Sequence, residues 1–298
     1  MTTVYPFNLQ LGPLNITGYG IMMMAGFLVG GWLMDRDLRS RGWRHEYAAD
    51  ITVAAVIGGI VGAKLWYLAA TGQWSSMLPQ RGESLLTWIA NCRGGLVWYG
   101  GFVGGTLAVL LNGRRLGVPM RWTLECSAPA LAAGYGLGRI GCFLVGDDYG
   151  TPTSLPWGVQ FPQGLPPTTA GSLAGNFGVP IPAGATPETL LAVHPTQLYE
   201  AIVMIAVFMV LWRLRARSRG TGWLFGVYLV MAGTERFLVE FARAKEDRLF
   251  GEFTLAQLMA LAIVAVGVIL AGWWAKSSVS PGPWLSGAAS ARPPARPA

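Results

Sequence analysis

The sequence predicts an all-α, polytopic membrane protein with seven transmembrane helices and a small extracytoplasmic head. Of its 298 residues, 52% are hydrophobic and only 12% are charged, against about 25% charged residues in a typical soluble domain. Seven apolar segments approach the length of roughly 20 residues that a helix needs to cross the hydrocarbon core of a bilayer. The number of basic residues alternates between high and low from one connecting loop to the next, as expected for a multi-pass protein.

The seven apolar segments are bounded by polar loops, and the fourth and sixth contain charged residues. The predicted spans cover residues 16–34, 48–70, 94–112, 123–146, 194–212, 221–241 and 254–275. We expect the first to remain in the mature protein, because no basic region of a cleavable signal peptide precedes it. The low charge excludes a disordered chain and most soluble enzymes of this length. No convincing internal repeat is present, which disfavours a transporter built from inverted halves.

The distribution of basic residues predicts the orientation of the chain. With seven spans, 14 of the 22 Lys and Arg residues fall in one set of loops with the C-terminal tail, 5 fall in the other set, and 3 lie inside spans. Because cytoplasmic loops carry the excess of basic residues, we expect an extracytoplasmic N-terminus and a cytoplasmic C-terminus. The net charge of +7 therefore indicates contact with anionic lipid rather than with nucleic acid.

We expect one membrane domain over residues 1–275, in which residues 147–193 form the head, followed by a disordered cytoplasmic tail over residues 276–298. The 147–193 loop is rich in Gly, Pro and Thr, contains interspersed aromatic residues and carries no Lys or Arg. The tail ends in a low-complexity stretch of Ser, Ala, Arg and Pro. Three cysteines and two histidines are too few for a disulfide framework or a histidine cluster, so we predict no metal site.

Polar residues inside the predicted spans indicate function. A Lys or Arg near the bilayer centre costs about 2.5–3.5 kcal/mol on insertion scales, so each needs a partner or a role. The predicted orientation places Lys64, Arg139 and Arg236 near the outer ends of their helices. Other polar and aromatic residues fall at the same level: Tyr19, Trp98, Tyr99, Asp147, Asp148, His194, Gln197, Tyr199, Glu200, Glu235, Glu240 and Arg243. This convergence predicts a polar cavity at the outer leaflet.

Two arginines in such a cavity suit a phosphate group, because the guanidinium fork matches phosphate oxygens and stays charged when buried. A phospholipid head group is the nearest abundant phosphate. A structural alternative remains open, because Glu240 follows Arg236 by four residues and the two side chains can neutralise each other on one helix face. Tyr19 and the other aromatic residues can form an interfacial belt, and Lys64 can snorkel to the interface.

Several stretches of the sequence resemble the motifs of one family. GRIGCFLVGDDYG at 138–150 resembles GRxGNFxNGExxG, the signature of bacterial prolipoprotein diacylglyceryl transferases. HPTQLYE at 194–200 matches the HPxQLYE motif of that family, and GGLVWYGG at 94–101 resembles its GGxxxHGG run. RFLVEFAR at 236–243, followed by FTLAQ at 253–257, resembles its last two spans. The motifs occur in the order that the family has them.

This resemblance implies a multi-pass enzyme of the bacterial plasma (inner) membrane that needs no cofactor. Such enzymes transfer the diacylglyceryl group of phosphatidylglycerol to the thiol of the lipobox cysteine of a prolipoprotein, and glycerol phosphate is released. The implied partners are phosphatidylglycerol, prolipoprotein signal peptides with a lipobox cysteine, and membrane lipid.

The resemblance also assigns roles to residues. The essential arginines of the family fall on Arg139 and Arg236. Its essential tyrosine falls on Tyr19, and its acidic partner falls on Glu240. The predicted catalytic residues are Arg139, Arg236, Tyr99 and Glu240. The predicted substrate-binding residues are Tyr19, Arg139, Asp147, Gly150, His194, Gln197 and Arg236.

The sequence departs from the family pattern at four positions. Cys142 and Val145 replace asparagines, Asp147 replaces a glutamate, and Tyr99 replaces a histidine. Because a tyrosine is a poor base near neutral pH, three alternatives remain open for the last change. The histidine is dispensable, or Tyr99 acts by hydrogen bonding, or the chain is a divergent paralogue that moves a lipid moiety to another acceptor.

Two further alternatives also follow from the sequence. His194 can replace the missing base, although a structural role at the start of the fifth span is favoured. A lipid-binding or carrier protein without chemistry is an alternative from another class. It is disfavoured because a carrier exposes its site to both sides of the membrane, and the polar residues here cluster towards one side.

Overall fold

The computed structural model of the chain describes residues 2–12, 14–77, 95–217, 219–244, 248–250 and 253–287. Gly94, the first residue of the 94–101 motif, lies outside these ranges, as do residues 288–298 of the predicted tail. The described part of the chain is mostly helical, as the sequence predicts.

The helices in the described ranges are α1 (Gly18–Ser40), α2 (Glu46–Thr71), α3 (Trp98–Arg115), α4 (Met120–Val145), α5 (Ala170–Phe177), α6 (Thr196–Leu214), α7 (Trp223–Val239), α8 (Leu255–Trp274) and α9 (Gly282–Leu285). Short 3-10 helices cover Trp74–Met77, Arg215–Arg217 and Glu240–Ala242. The strands are β1 (Thr2–Thr3), β2 (Asn8–Leu11), β3 (Leu14–Thr17), β4 (Val159–Gln160), β5 (Arg248–Phe250) and β6 (Phe253–Thr254). Strand β1 pairs in parallel with β4, and β5 pairs antiparallel with β6.

Four of these helices are long and apolar enough to cross a membrane. They are α2, α4, α6 with the 3-10 turn that extends it to Arg217, and α8. Large apolar side chains on them face outward, as expected for contact with lipid: Ile202 on α6 is 68% exposed and Ile269 on α8 is 63% exposed. Helices α1, α3 and α7 lie in the other three predicted segments, and their crossing of the membrane stays a prediction.

The chain divides into two compact units. The first unit contains Met1–Leu9, Asn15–Val29 and Ala128–Ser277, and the second contains Gln10–Leu14, Gly30–Ser127 and Ser278–Ala298. The first unit therefore holds the beginning of α1, most of α4 and helices α5 to α8. The second unit holds α2, α3 and α9.

Helices α4, α6 and α7 share a hydrophobic core in the first unit. Its buried members are Ala128, Ala132, Met204, Val207, Leu211 and Leu224. Helices α7 and α8 approach closely at a glycine, because a Cβ atom on Gly226 would lie only 2.6 Å from the backbone nitrogen of Ala271. These contacts hold the ends of the helices in fixed positions, and those ends carry the polar residues considered below.

The segment between α4 and α6 has a small core of its own. Its buried side chains are Tyr149, Val159, Phe161, Leu173 and Val193. Val159 and Val193 exchange backbone hydrogen bonds of 3.1 and 2.9 Å. Helix α5 begins with Thr169 as its N-cap, whose side chain accepts a hydrogen bond from the Ser172 amide. The segment is therefore folded, and its place outside the membrane remains a prediction.

Part of the predicted tail is ordered. The Trp122 indole donates a hydrogen bond of 2.7 Å to the carbonyl oxygen of Val279. The Arg44 amide donates one of 2.9 Å to the carbonyl oxygen of Leu285. We predicted disorder from residue 276 onward, but the described residues up to 287 are held in place because the side chain of Leu285 is fully buried in the second unit.

Helices α2 and α3 of the second unit pack through glycines. A Cβ atom on Gly62 would lie 2.3 Å from the carbonyl oxygen of Gly100, and one on Gly104 would lie 2.4 Å from that of Gly58. Small residues at this spacing let two helix backbones approach more closely than any side chain permits. The repeated glycines of these two helices are therefore explained by packing.

We expect Gly62→Ala to destabilise the protein by about 1–3 kcal/mol, the usual cost of overpacking. The added Cβ atom meets backbone, which cannot move aside as a flexible side chain can. The matched control is Gly59→Ala in the same helix, where a Cβ atom would lie 3.7 Å from the carbonyl oxygen of Gly101, an ordinary contact. Thermal unfolding in detergent measures both variants. Equal melting temperatures would contradict the close packing of α2 on α3.

Candidate active site

A network of ion pairs lies in the first unit. Its arginines are Arg139, Arg236 and Arg243, and its carboxylates are Asp148, Glu200 and Glu240. These residues come from α4, the loop after α4, α6, the end of α7 and the segment that follows α7. Because charged groups are costly inside an apolar helix bundle, their assembly at one place marks a candidate functional site.

Glu200 of α6 is the centre of this network. Its side chain is fully buried, and its Oε2 atom lies 2.6 Å from Nε of Arg139. Its Oε1 atom accepts a hydrogen bond of 3.2 Å from Nη1 of Arg243. The Tyr135 hydroxyl donates a third hydrogen bond, of 2.7 Å, to Oε2. One buried carboxylate is thus shared by two guanidinium groups and a phenol, which satisfies the demand that a buried charge be paired.

Asp148 also bridges the two arginines. Its Oδ2 atom accepts a hydrogen bond of 2.9 Å from Nη1 of Arg139, and its Oδ1 atom pairs with Nη2 of Arg243. Unlike Glu200, the Asp148 side chain is 40% exposed. Its backbone has a φ of 56°, in the left-handed region that aspartate tolerates better than most residues. Arg139, Glu200, Arg243 and Asp148 therefore form a closed ring of alternating charges.

Arg236 pairs with Glu240, one turn further along the chain. Nη1 of Arg236 donates a hydrogen bond of 2.5 Å to Oε2 of Glu240. The other oxygen of Glu240 accepts one of 3.2 Å from the Thr254 hydroxyl. Thr254 and Gln257 form the capping box that begins α8. The 253–257 motif therefore starts a helix and at the same time holds the partner of Arg236.

Arg243 joins these two parts of the network. Its Nε atom lies 3.7 Å from Oε2 of Glu240, and its Nη1 atom is bonded to Glu200. Its own side chain is only 2% exposed. The two arginines that the sequence singled out, Arg139 and Arg236, thus belong to one continuous series of ion pairs that runs through Arg243.

Gly150 permits a close approach of two backbone segments. Its amide donates a hydrogen bond of 2.8 Å to the carbonyl oxygen of His194, and the Thr151 amide donates one of 2.9 Å to that of Ala242. A Cβ atom on Gly150 would lie 2.3 Å from the same Ala242 carbonyl oxygen. Because Ala242 immediately precedes Arg243, the glycine places the loop after α4 directly beside that arginine.

Gln197 and His194 support the site from the start of α6. The Gln197 side-chain amide donates a hydrogen bond of 2.5 Å to the backbone carbonyl oxygen of Asp147. The imidazole of His194 lies with Nδ1 3.3 Å from the hydroxyl of Tyr199, which also accepts a hydrogen bond of 2.8 Å from the indole of Trp157. These contacts favour a structural role for His194 over a role as base.

Asp147 lies at the end of α4, beside the charge ring. Burial raises the pKa of its carboxyl to about 6; a hydrogen bond with the Cys142 thiol opposes this rise, and the nearby carboxylate of Asp148 adds to it. Its Oδ1 atom has no hydrogen-bond partner among the described residues. Asp147 is therefore a partly buried acid that gains and loses its proton near neutral pH.

The two predicted tyrosines belong to different units. Tyr19, in the first unit, lies against α4, because a Cβ atom on Gly141 would be 3.1 Å from the Cα atom of Tyr19. Tyr99, in α3 of the second unit, packs edge-on against Trp98 with ring centroids 5.4 Å apart and is 53% exposed. The residues that the first unit brings together therefore do not include Tyr99.

The sequence places Arg243, Glu200 and Asp148 at the level of the predicted cavity but indicates no role for them. Glu200 ends the 194–200 motif and Arg243 ends the 236–243 motif, so both positions carried a signal. Asp148 occupies a position that the family signature leaves unspecified. Glu235 of α7 is a further residue of this kind, because it is buried and its Oε1 atom has no hydrogen-bond partner in the described ranges.

The fold and the site define a class of protein: a multi-pass membrane protein with a buried, arginine-rich polar centre. Residues 6–273 match the family described as prolipoprotein diacylglyceryl transferase. The chain belongs to this family, which confirms the resemblance that the sequence motifs carry.

Curated relatives agree with this assignment, and each is named phosphatidylglycerol–prolipoprotein diacylglyceryl transferase. A protein of Solidesulfovibrio magneticus is 33% identical over 273 residues, which cover 89% of this chain and 92% of the relative. One of Oleidesulfovibrio alaskensis is 32% identical, with 91% and 94% coverage. One of Clostridium tetani is 29% identical, with 89% and 96% coverage.

We expect Gly150→Ala to destabilise the first unit by about 1–3 kcal/mol, because its Cβ atom would overlap the Ala242 carbonyl oxygen. The matched control is Gly175→Ala in α5, where a Cβ atom would meet nothing within 4 Å. Melting temperatures of the purified variants measure the effect. A Gly150→Ala variant as stable as the control would contradict the close approach of the two segments.

Asp147 also predicts a pH dependence of stability. Its folded pKa, about 6, lies above the ordinary value of 3.8, so the folded state binds the proton more tightly than the unfolded state. The contribution of Asp147 to stability is therefore largest below about pH 4, falls as the pH rises to about 6, and is level above that value. We expect Asp147→Asn to remove this contribution to the slope, measured as melting temperature against pH.

The control for this measurement is Asp35→Asn, which removes an acidic group that pairs with Arg39 in the second unit. We expect it to keep the fall that Asp147 produces between about pH 4 and pH 6. An Asp147→Asn variant with the same slope as the wild type would show that Asp147 is not the group responsible.

Proposed function

We propose that this protein transfers the diacylglyceryl group of phosphatidylglycerol to the cysteine thiol of a prolipoprotein and releases glycerol phosphate. The observation that carries the proposal is the series of ion pairs that joins Arg139, Arg243 and Arg236 in a chain of this family. The printed name of its relatives states the same donor, acceptor and transferred group. The protein is thus a transferase of lipoprotein biosynthesis.

The chemistry needs a site that stabilises a leaving phosphate. The sulfur of the acceptor attacks the glycerol carbon that bears the phosphate ester, a carbon–sulfur bond forms, and the carbon–oxygen bond breaks with its electron pair passing to glycerol phosphate. Negative charge grows on the leaving group during this step. Preorganised guanidinium groups in a site with little water stabilise such charge strongly.

We assign this stabilisation to Arg139 and Arg236, as the family resemblance implies. The carboxylates fix the arginines before the substrate arrives: Glu200 holds Arg139, and Glu240 holds Arg236. Arg236 pairs with one carboxylate and keeps N–H groups that can point at a phosphate oxygen. Glu240 therefore acts by orienting Arg236, and we assign the surrounding residues Tyr19, Asp147, Gly150, His194 and Gln197 to the wall of the cavity.

The acceptor thiol must lose its proton, because a thiolate is the nucleophile and a free thiol has a pKa of about 8.5. The positive field of the arginines favours the thiolate. Tyr99 stands where the family has a histidine, and we assign it a hydrogen-bonding role rather than that of a base, since a tyrosine ionises only near pH 10 in model peptides.

We also propose the full topology of the family for this chain. Seven helices span the bacterial plasma membrane, with the N-terminus outside and the C-terminus in the cytoplasm. Residues 147–193 form an extracytoplasmic head on the membrane domain and help to receive the lipobox of the prolipoprotein. The excess of basic residues in the loops assigned to the cytoplasm supports this orientation.

Two substitutions relative to the family motifs are the ground for a second candidate function, transfer of the lipid moiety to another acceptor. The buried Cys142 replaces an asparagine of the signature and lies beside Asp147, and Tyr99 replaces the histidine. These changes are the reason to test this alternative, a paralogue with another acceptor, although the names of the relatives support the prolipoprotein. Supplying lipobox peptides that carry cysteine, serine or alanine at the acceptor position separates the two functions, because the main proposal requires the cysteine peptide alone to react.

We expect Arg139→Ala to lower the rate of glycerol phosphate release by at least about a hundredfold, the usual cost of removing a group that stabilises developing charge. The assay supplies phosphatidylglycerol in mixed micelles and a lipobox peptide to the purified protein. The control is Arg39→Ala, which removes an arginine whose side chain is 59% exposed and paired with Asp35 in the second unit. We expect the control to keep the wild-type rate, and full activity of Arg139→Ala would reject the role assigned to this arginine.

A further inference from the structure

We propose that the carboxylate of Asp148 competes with the substrate phosphate for the position between Arg139 and Arg243. The carboxylate occupies this position before the substrate binds. The phosphate group of the donor lipid displaces this carboxylate, which turns outward into water. This inference rests on the proposed function and deepens it, because it adds Arg243 to Arg139 and Arg236 as a group that binds the phosphate, and it names a residue that sets the affinity for it.

The charge of the ring is the first reason. Two guanidinium groups and two carboxylates alternate around it, so Arg139, Arg243, Glu200 and Asp148 together carry no net charge. A neutral ring attracts no further anion. If one carboxylate leaves, the remaining three groups carry one positive charge, and a phosphodiester with one negative charge restores neutrality.

Burial decides which carboxylate leaves. The Glu200 side chain is fully buried and also accepts a hydrogen bond from Tyr135, so it cannot reach water without opening the helix bundle. The Asp148 side chain is 40% exposed, so rotation about its side-chain bonds brings its carboxylate into water. When Asp148 leaves, both arginines keep Glu200 as a partner. A buried carboxylate such as Glu200 that lost its own partners would be strongly destabilising.

The backbone of Asp148 stays in place during this exchange. Its carbonyl oxygen accepts a hydrogen bond of 2.9 Å from the Thr196 hydroxyl, and the amide of Gly150, two residues later, is bonded to the carbonyl oxygen of His194. Only the side chain has to move. The carboxylate therefore remains tethered beside the arginines and returns to them when the phosphate leaves.

The shape of the site fits a phosphate as well as a carboxylate. Asp148 presents its two oxygens to two different arginines, one to each. A phosphodiester carries two equivalent unesterified oxygens that can make the same pair of contacts, and arginine N–H groups bind both kinds of anion in this manner. The side chain of Asp148 thus occupies the position that the proposed substrate requires.

Replacing Asp148 by asparagine tests the proposal. Asparagine keeps the size of the side chain, removes its charge and tolerates the left-handed backbone at this position. If the carboxylate occupies the site about 90% of the time, its loss raises the apparent affinity for phosphatidylglycerol about tenfold. We expect KM for phosphatidylglycerol in mixed micelles to fall by this factor while kcat stays within about twofold, because the catalytic arginines remain.

A second variant and a control keep the test interpretable. Asp148→Gly also removes the charge and fits the left-handed backbone best, so it serves if asparagine disturbs the fold. Asp35→Asn changes the net charge equally in the second unit and is expected to leave KM unchanged. An unchanged or raised KM in both Asp148 variants would overturn the proposal.

Binding measured without turnover separates this inference from the proposed function. Thermal stabilisation of wild type and Asp148→Asn is compared for phosphatidylglycerol, inorganic phosphate and diacylglycerol, which lacks phosphate. The proposal is supported if phosphatidylglycerol raises the melting temperature of the variant more than that of the wild type, whether or not inorganic phosphate does so. This holds even if no glycerol phosphate is released. The proposal would be overturned if diacylglycerol raised the melting temperature of the variant as much as phosphatidylglycerol does. It would also be overturned if the variant gained stability from inorganic phosphate but not from phosphatidylglycerol.

Discussion

The site depends on one interaction: the buried carboxylate of Glu200 shared between Arg139 and Arg243. Each arginine alone would be a costly charge inside an apolar bundle, and the carboxylate without them would be equally costly. Breaking a buried pair by removing one partner typically costs about 3–5 kcal/mol. Helices α4 and α6 are therefore held together by charge as well as by the apolar core that they share with α7. The segment after α7 is joined to them by the ion pair of Arg243 with Glu200. The rest of the polar centre is built on this arrangement.

The arginines of the network are already oriented by ion pairs before any substrate binds. Every arginine in it already has a carboxylate partner, so no guanidinium group would have to be reoriented from water to meet the phosphate that we propose as its ligand. Such preorganisation is the main source of electrostatic stabilisation in enzymes. The surface pairs of the second unit, such as Arg39 with Asp35, have the same chemical groups but stand in water, where their interaction is weak.

Hydrophobic patterning predicted the helices well because length and apolarity are local properties of the sequence. The predicted segment 254–275 corresponds to α8, Leu255–Trp274, and 48–70 corresponds to α2, Glu46–Thr71. The motifs located Arg139 and Arg236, and the spacing of four residues predicted the pair of Arg236 with Glu240. The pairing of Arg243 with Asp148 spans 95 residues and depends on a left-handed backbone, so no local pattern reports it. The ordered start of the tail likewise depends on apolar surface elsewhere in the second unit.

The hydroxyl of Thr254 serves two structures at once. It accepts the hydrogen bond of the Gln257 amide that begins α8, and its own proton goes to Glu240, the partner of Arg236. A change at any one of these positions alters both the first turn of the helix and the orientation of the arginine. The first turn of α8 and the orientation of Arg236 therefore depend on the same hydroxyl group.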